Sequence, residues 1–217
     1  MQVRDIMTTN VVTISSHTLI MEARRTMEFH GVERLPVVDR GKLTGIVTKD
    51  TMQKATPSEA TSLSVWEMNY LLAKMTVEEL MKKEVVTIFP DATVEEAVAT
   101  AQANRVGALP VMENNVLVGI VTTNDFFYKV LNPILGIGQS GSRIIVCEAG
   151  QADGICKVMD CIAQHKVGIK AVGTFLSSET FNNDLVVHLD TEDPTDILNE
   201  LKHQGFQAEK RQSLKKH

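Results

Sequence analysis

The residues best suited to chemistry in this chain lie at positions 119–125, which read Gly-Ile-Val-Thr-Thr-Asn-Asp. A run of strand-forming residues ends at Thr122, and apolar residues follow Asp125, so the pattern predicts a strand that leads into a helix. The free N–H groups at the start of such a helix suit a phosphate, and the Asp125 carboxylate could accept hydrogen bonds from sugar hydroxyls. The alternative is a capping box without a ligand, in which Thr122 and Asp125 only cap the helix.

The same segment occurs earlier in the chain, within an internal duplication. Placing Val11 on Val85, an offset of 74 residues, gives 18 identities in 48 aligned positions. The earlier copy of the segment has Thr51 where the later copy has Asp125. A segment that is repeated together with its surroundings indicates a duplicated structural unit rather than an isolated helix cap.

Each repeat has the pattern of a β-α-β-β-α unit that begins with a short helical turn. Arg40-Gly41 and Asn114-Asn115 predict tight turns between the last two strands. The predicted turn, strand, helix and two strands lie at 3–7, 11–14, 20–27, 35–38 and 43–47 in the first repeat, and at 77–81, 85–88, 94–101, 109–112 and 117–121 in the second. Residues 65–75 predict a linker helix between the repeats, with an apolar face suited to a core or dimer contact.

A domain boundary is predicted at residues 132–141, which contain three glycines and one proline. Beyond it the predicted elements follow the order βαββαβ, which is typical of a ferredoxin-like fold. Strands are predicted at 143–147, 169–175, 185–189 and from 205, and helices at 152–164 and 194–203. The predicted fold class is therefore α+β. The predicted divisions are 1–75 (first repeat with the linker helix), 76–132 (second repeat), 133–141 (linker) and 142–217.

Composition limits the class of protein. The chain has 217 residues, of which 43% are apolar and 23% charged, as in globular proteins with one large or two small domains. A net charge of −5 argues against a nucleic-acid surface, and neither a membrane-spanning run nor a signal peptide is found, so we expect a cytoplasmic protein. Cys147, Cys156 and Cys161 fit neither a disulfide framework nor a zinc motif and are predicted to be buried free thiols.

Several motifs occur together in the order found in CBS domains (cystathionine β-synthase domains). They are Asp5-Ile-Met7, Val11-Val-Thr13, Arg34-Leu-Pro-Val37 and the segment at 119–125. The duplicated unit therefore resembles the CBS domain, and the pair resembles a Bateman module. The C-terminal part resembles an ACT domain, a small regulatory module that often binds amino acids. The whole arrangement is similar to that of the acetoin-utilisation B type of CBS-ACT protein.

The resemblance implies that an adenosine compound (AMP, ADP, ATP or S-adenosylmethionine) binds between the repeats as a regulatory ligand, with no cofactor required. The residues carried over to a first cleft are Met7, Val12, Arg34, Leu35, Pro36, Thr122, Thr123, Asn124 and Asp125. In this cleft Asp125 would bind the ribose, the three residues before it would lie at the phosphate, and Met7 and Val12 would flank the base. The Arg34 guanidinium would also suit phosphate, and its alternative is a surface ion pair.

The second cleft departs from the family pattern. The residues carried over to it are Thr48, Lys49, Thr51, Ala108 and Pro110. Thr51 replaces the aspartate, and Asp50 is displaced by one position, which is a rotation of about 100° on a helix. Ala108 stands where the first repeat has Arg34, so a phosphate donor is missing. We therefore expect one competent adenosine site and a second site that is weak or empty.

The expected function is regulation without catalysis, in which the ligand shifts the arrangement of the domains and acts through a homodimer or a partner protein. In the ACT-like part, Asp153 and Gly154 are candidate residues for an amino-acid ligand, and a plain strand-to-helix turn is the alternative. An enzyme and a ligand-free dimerisation scaffold are the competing hypotheses. The sequence has no nucleophile elbow, Walker A loop, dinucleotide-binding glycine motif or metal-ligand cluster to support the enzyme.

Overall fold

The computed structural model describes residues 1–54, 74–177 and 182–211. The chain divides into two compact units, Met1–Asp125 and Phe126–His217. Most of the linker helix predicted at 65–75 lies outside the described residues, as does the end of the chain from 212. The domain boundaries placed at 75, 132 and 141 from the sequence stay a prediction.

Each repeat of the first unit forms an antiparallel hairpin flanked by helices. The first repeat consists of α1 (Val3–Ile6), α2 (Ile20–His30), β1 (Arg34–Asp39), β2 (Lys42–Thr48) and α3 (Lys49–Lys54). The second consists of a 3-10 turn (Val77–Glu79), α4 (Val94–Asn104), β3 (Ala108–Glu113), β4 (Val116–Thr122) and α5 (Thr123–Asp125). The predicted helices and hairpins of the duplicated unit are thereby confirmed.

Both hairpins turn where the sequence predicts. Arg40 and Gly41 have φ angles of 50° and 77°, and Asn114 and Asn115 have φ angles of 49° and 64°. Two successive positive φ values are the mark of a type I′ turn, whose twist matches that of the flanking strands and which Asn and Gly adopt at low cost. The turns set a register in which the threonine that ends each second strand lies opposite the first residue of the strand before it.

The first strand predicted in each repeat forms only a single bridge, so its predicted length is wrong. Ile14 donates its backbone N–H to the Pro36 carbonyl at 3.2 Å and accepts from the Val38 N–H at 2.8 Å. A longer parallel ladder would need an N–H from Pro36, and proline has none. The second repeat has the same arrangement at Ile88 and Pro110.

The apolar stripe predicted on α2 covers the first hairpin. Ile20, Ala23 and Met27, spaced by three and four residues, are buried in one cluster with Leu35 and Val37 of β1. This spacing places all three side chains on one face of the helix. The cluster holds β1 in place, and the first residues of β1 border the clefts described below.

The second unit contains a π-helical segment (Phe126–Leu131), α6 (Asn132–Leu135), β5 (Ser142–Val146), α7 (Ala152–Gln164), β6 (Ile169–Leu176), β7 (Asn183–Leu189), α8 (Thr195–His203) and β8 (Ala208–Arg211). Its four strands form an antiparallel sheet in the order β6-β7-β5-β8. Ile162 of α7 and Leu201 of α8 share a buried core with Ile144 and Val187 of the sheet. From β5 onward the order is βαββαβ, and the ACT assignment stays a prediction.

The last strand begins later than predicted. Gly205 has a φ angle of 88°, a left-handed conformation that continues the turn after α8 rather than starting a strand. Pairing with β5 begins only at Ala208. None of the described helices is both long enough and apolar enough to cross a membrane.

We expect Asp39 to make the stability of the first unit depend on pH. The Ser16 N–H, at 3.0 Å, and the hydroxyls of Thr44 and Ser15, at 2.9 and 3.0 Å, donate to its carboxylate and lower its pKa to about 2. Because the folded-state pKa is depressed, this contribution is present above the unfolded value near 4 and disappears as the pH falls through 2. Asp39→Ala should lower the unfolding free energy at pH 7 by about 1–2 kcal/mol.

Denaturant titrations of both proteins from pH 7 to pH 2 measure this effect. The difference between wild type and Asp39→Ala should shrink between about pH 5 and pH 2. Glu113 occupies the equivalent position of the second repeat and is exposed, so Glu113→Ala is the matched control and should change stability by less than about 0.5 kcal/mol. A difference for Asp39→Ala that stays constant over this pH range would contradict the assignment.

Candidate functional site

Two clefts form where the segment that follows the first helical turn of each repeat pairs with the hairpin of the other repeat. Thr8 and Ile120 exchange backbone hydrogen bonds of 2.9 and 3.0 Å, and Lys82 and Ile46 exchange bonds of the same lengths. The two pairs are related by the 74-residue offset of the duplication. Residues distant in sequence therefore meet at two pseudo-equivalent sites.

The glycine of each Gly-Ile-Val-Thr motif allows this close approach. A Cβ at Gly119 would lie 2.6 Å from Sδ of Met7, and a Cβ at Gly45 would lie 2.6 Å from Sδ of Met81. Real Cβ atoms do not make contacts that short, so a side chain at either glycine would force the methionine beside it to move. Met7, predicted to flank a base, thus packs at the contact between the repeats.

The first cleft encloses a cavity of about 250 Å³. Of the nine residues predicted for it, six line the cavity: Val12, Arg34, Pro36, Thr122, Asn124 and Asp125. Met7 and Thr123 are not among the lining residues, and Leu35 has 0% of its surface exposed and belongs to the hydrophobic core. Strand alternation explains the position of Leu35, because neighbouring residues of β1 point to opposite faces and only the face of Arg34 and Pro36 meets the cavity.

Asp125 combines the two roles considered from the sequence. Its Oδ2 accepts from the Thr122 N–H at 2.8 Å and from the Thr122 hydroxyl at 2.7 Å, which is the predicted cap. The residue also lines the first cavity. The cap therefore fixes the carboxylate at the cavity wall, where it can accept hydrogen bonds from a bound hydroxyl group.

The second cleft is the larger, with a cavity of about 550 Å³. Four of its five predicted residues line it, namely Thr48, Lys49, Thr51 and Ala108, whereas Pro110 does not. The Thr48 and Thr51 hydroxyls lie 2.9 Å apart, in place of the threonine–carboxylate pair of the first cleft. Asp50 also lines the cavity and pairs with Lys54 at 2.8 Å on the exposed side of α3.

Sequence reasoning missed the basic residues Lys82 and Arg105, which line the second cavity. The duplication contained the signal, because the 74-residue offset makes them equivalent to Thr8 and Gly31 of the first cavity. Arg34 was expected only in the first cleft, but it lines both cavities. Its alternative, a surface ion pair, is not formed with any described residue.

The candidate residues of the second unit lie in the first turn of α7 and have structural roles there. Asp153 forms an exposed helix ion pair with Lys157 at 2.7 Å. A Cβ at Gly154 would lie 2.7 Å from the Ala149 carbonyl oxygen, so close packing of the turn requires glycine there. These contacts favour the plain strand-to-helix turn that was the alternative.

The cysteines are free, as predicted, but they are not all buried. Cys161 is buried, Cys147 is half-buried and Cys156 is exposed. Burial raises the pKa of the Cys161 and Cys147 thiols, which keeps them protonated and unreactive near neutral pH. Over the part of the chain that the structure describes, no three His, Cys, Asp or Glu residues are arranged to hold a metal ion.

The sequence matches the model of the CBS domain twice, at residues 3–57 and 77–132. It is 33% identical over 133 residues to an inosine-5′-monophosphate dehydrogenase of Korarchaeum cryptofilum, a match that covers 61% of this chain and 25% of that protein. It is 32% identical over 123 residues to the CBS domain-containing protein YhcV of Bacillus subtilis, which covers 57% of this chain and 81% of YhcV. This chain thus spans about a quarter of the dehydrogenase.

Two solved structures are similar to part of this chain. The chain is similar to a putative acetoin utilization protein, AcuB, of Vibrio cholerae, with 30% identity, a TM-score of 0.51, and coverage of 61% of this chain and 91% of AcuB. It is also similar to the CBS domain pair of protein MJ0100, crystallised with 5′-methylthioadenosine and S-adenosyl-L-methionine, with 30% identity, a TM-score of 0.49, and coverage of 58% and 93%.

Proposed function

Since the chain belongs to the CBS-domain family, we propose that it is a regulatory protein that binds an adenosine compound in the first cleft. The observation that carries the proposal is the placement of Asp125 on the wall of a cavity between the repeats. The carboxylate provides acceptors for the two ribose hydroxyls. Val11, Val12 and Ile120 line the same cavity and offer apolar surface to an adenine ring.

The binding would be regulatory because the cavity is built from both repeats. A ligand that contacts Val12 of the first repeat and Asp125 of the second stabilises the arrangement in which both face the cavity. It shifts the protein only by its difference in affinity between the two arrangements. The homodimer expected from the sequence would pass such a shift to a second chain, and light scattering measures whether the dimer exists.

The proposal extends to the second unit with an ACT-like role in amino-acid binding. Support comes from the βαββαβ order of its elements and from the position of β5 and β7 at the centre of the sheet, as in the ferredoxin-like arrangement. The exposed ion pair of Asp153 does not support that residue as a ligand contact. Calorimetry with a set of amino acids tests this part of the proposal separately.

Calorimetry and thermal melts with adenosine, 5′-methylthioadenosine, S-adenosylmethionine, AMP and ATP test the adenosine site. A compound present at 100 times its Kd should add about 2.7 kcal/mol of stability. Asp125→Ala should weaken binding of the best compound by about 10- to 100-fold, because hydrogen bonds to a charged group are lost. Asp125→Asn keeps an oxygen that can cap Thr122, and it should also bind more weakly.

The control is Asp50→Ala. Asp50 lies in the first repeat, directly before Thr51, which is the equivalent of Asp125. The Asp50 side chain is engaged with Lys54 on the surface, so affinity for the first-cleft ligand should be unchanged. Equal affinities for wild type and Asp125→Ala would contradict binding at Asp125 in the first cleft. Melts that no adenosine compound shifts would leave the ligand-free scaffold as the better hypothesis.

A further inference from the structure

Met7 and Met81 hold equivalent positions in the two repeats, related by the 74-residue offset of the duplication. The sulfur of Met7 lies against Gly119 of the second repeat, and the sulfur of Met81 lies against Gly45 of the first. Neither methionine is among the residues that line the two cavities. The same contact between a sulfur and a glycine therefore joins the repeats twice, and it lies outside both cavities.

Each sulfur adjoins a pair of backbone hydrogen bonds at the edge of a cavity. Thr8 directly follows Met7, exchanges hydrogen bonds of 2.9 and 3.0 Å with Ile120, and lines the first cavity together with it. A Cβ on Gly119 would lie 3.2 Å from the Thr8 carbonyl oxygen, as well as 2.6 Å from the methionine sulfur. The second contact has the same form, with the Lys82 carbonyl oxygen 3.1 Å from the Cβ position of the equivalent glycine. Displacement of either sulfur is therefore expected to disturb the hydrogen bonds beside it.

Both of these methionines are accessible to a small solute. Met7 and Met81 are half-buried, so water reaches part of each side chain. Met27 and Met52, in the core of the first repeat, are only 3% and 5% exposed. Met21 is 41% exposed on the surface of α2. Of these five residues, only Met7 and Met81 combine access to solvent with a close contact between the repeats.

A methionine thioether reacts with hydrogen peroxide by a two-electron oxidation. The O–O bond breaks, one oxygen atom bonds to the sulfur, and the other leaves as water with both protons. The product is a polar sulfoxide, which disrupts packed contacts and which reductases convert back to the thioether. The nearby N–H groups of Thr8 and Ile120 already donate to each other's carbonyl oxygens. Because a polar oxygen without a donor is costly to bury, the oxidised side chain is expected to leave the glycine and turn toward water.

We propose that Met7 and Met81 are oxidation sites at which a peroxide loosens the contact between the repeats, and that reduction of the sulfoxides restores it. The inference goes beyond the proposed function, because it requires no ligand in either cleft. The closeness of the fit makes the contact sensitive, since there is no room for one additional atom between each sulfur and its glycine. Both pairs of hydrogen bonds border a cavity, so oxidation changes the walls of the two clefts.

Hydrogen exchange of the full chain, before and after treatment with hydrogen peroxide, tests this inference. Met7→Leu and Met81→Leu each remove one sulfur and keep an apolar side chain of similar volume. After oxidation, the amides of Thr8 and Ile120 should lose about 10-fold of their protection in wild type and in Met81→Leu, but not in Met7→Leu. The two amides of the second contact should lose protection in wild type and in Met7→Leu, but not in Met81→Leu.

Met21→Leu is the matched control, because it removes an exposed sulfur from the surface of α2. After oxidation its amides should be protected to the same degree as those of oxidised wild type. All variants keep the three cysteines, so oxidation of thiols affects them equally. Mass spectrometry of peptides gives the extent of sulfoxide at each methionine. Reductases for both sulfoxide epimers should restore the protection of oxidised wild type without any substitution.

Three results would overturn the inference. Complete conversion of Met7 and Met81 to sulfoxide with unchanged amide protection would show that the contact tolerates the added oxygen. An equal loss of protection in wild type and in the Met7→Leu, Met81→Leu double variant would assign the loss to another group. Conversion of Met21 without conversion of Met7 or Met81 would show that the oxidant does not reach them. A loss that the double variant lacks and that the reductases reverse supports the inference, whatever calorimetry shows for adenosine compounds.

Discussion

Replacing Gly136 by alanine is expected to lower the unfolding free energy of the second unit by about 2–4 kcal/mol. Gly136 ends α6 with a φ angle of 68°, which costs a residue with a side chain about 1 kcal/mol. A Cβ there would also overlap Nδ1 and Cε1 of the His188 ring. The ring cannot move away easily, since it is 4% exposed and its Nε2 lies 3.0 Å from the Ser140 carbonyl oxygen.

Gly205→Ala is the control within the same unit. Gly205 has a φ angle of 88°, but no atom lies within 4 Å of a Cβ built on it, so only the conformational cost of about 1 kcal/mol should appear. Hydrogen exchange of the β5 and β7 amides measures the stability of this unit separately from the first. In a His188→Ala background the cost of Gly136→Ala should fall to that of the control. An unchanged cost in this background would show that overlap with the ring is not the cause.

Leu35→Ala is expected to destabilise the first unit by about 2–5 kcal/mol and to leave ligand affinity of the folded protein unchanged. Leu35 is fully buried against α2 and does not line either cavity. The loss comes from apolar contact and from the cavity left behind, because close-packed surroundings relax only in part. Denaturant titration gives the stability, and calorimetry below the transition gives the affinity.

Val12→Ala is the comparison for this prediction. Val12 is half-buried and lines the first cavity, so its truncation should cost less stability than Leu35→Ala and should weaken binding of the adenosine compound. Leu109→Ala, at the equivalent core position of the second repeat, should behave as Leu35→Ala does. If Leu35→Ala keeps its stability but binds the adenosine compound more weakly, this prediction is wrong and Leu35 contacts the ligand, as the family resemblance implied.

Much of the first unit could be predicted because its signals are local. The stripe of Ile20, Ala23 and Met27 and the asparagine turn at 114 and 115 each depend on residues a few positions apart. The strand predicted before α2 failed for a reason that involves a distant residue. Its partner strand carries Pro36, which supplies no N–H, so the ladder stops after one bridge.

The candidate site was predicted less completely than the fold. Six residues expected in the first cleft line its cavity, but Leu35 does not, because the family motif includes it without indicating which face of the strand it occupies. Arg34 was assigned to the first cleft alone, because the family motif that contains it was carried over to that cleft. Its guanidinium reaches Gly107 of the other repeat, a contact that depends on how the two repeats pack.

The sequence by itself determined that this chain contains a duplicated CBS domain, where its hairpins turn, and which repeat kept the aspartate of the repeated segment. Tertiary structure alone decided which charges meet in each cleft. Thr8 pairs with Ile120, 112 positions away, and Lys82 pairs with Ile46, 36 positions away, so each cavity is bordered by residues distant in sequence. Such contacts follow from the packing of complete repeats, and no local pattern of residues encodes them.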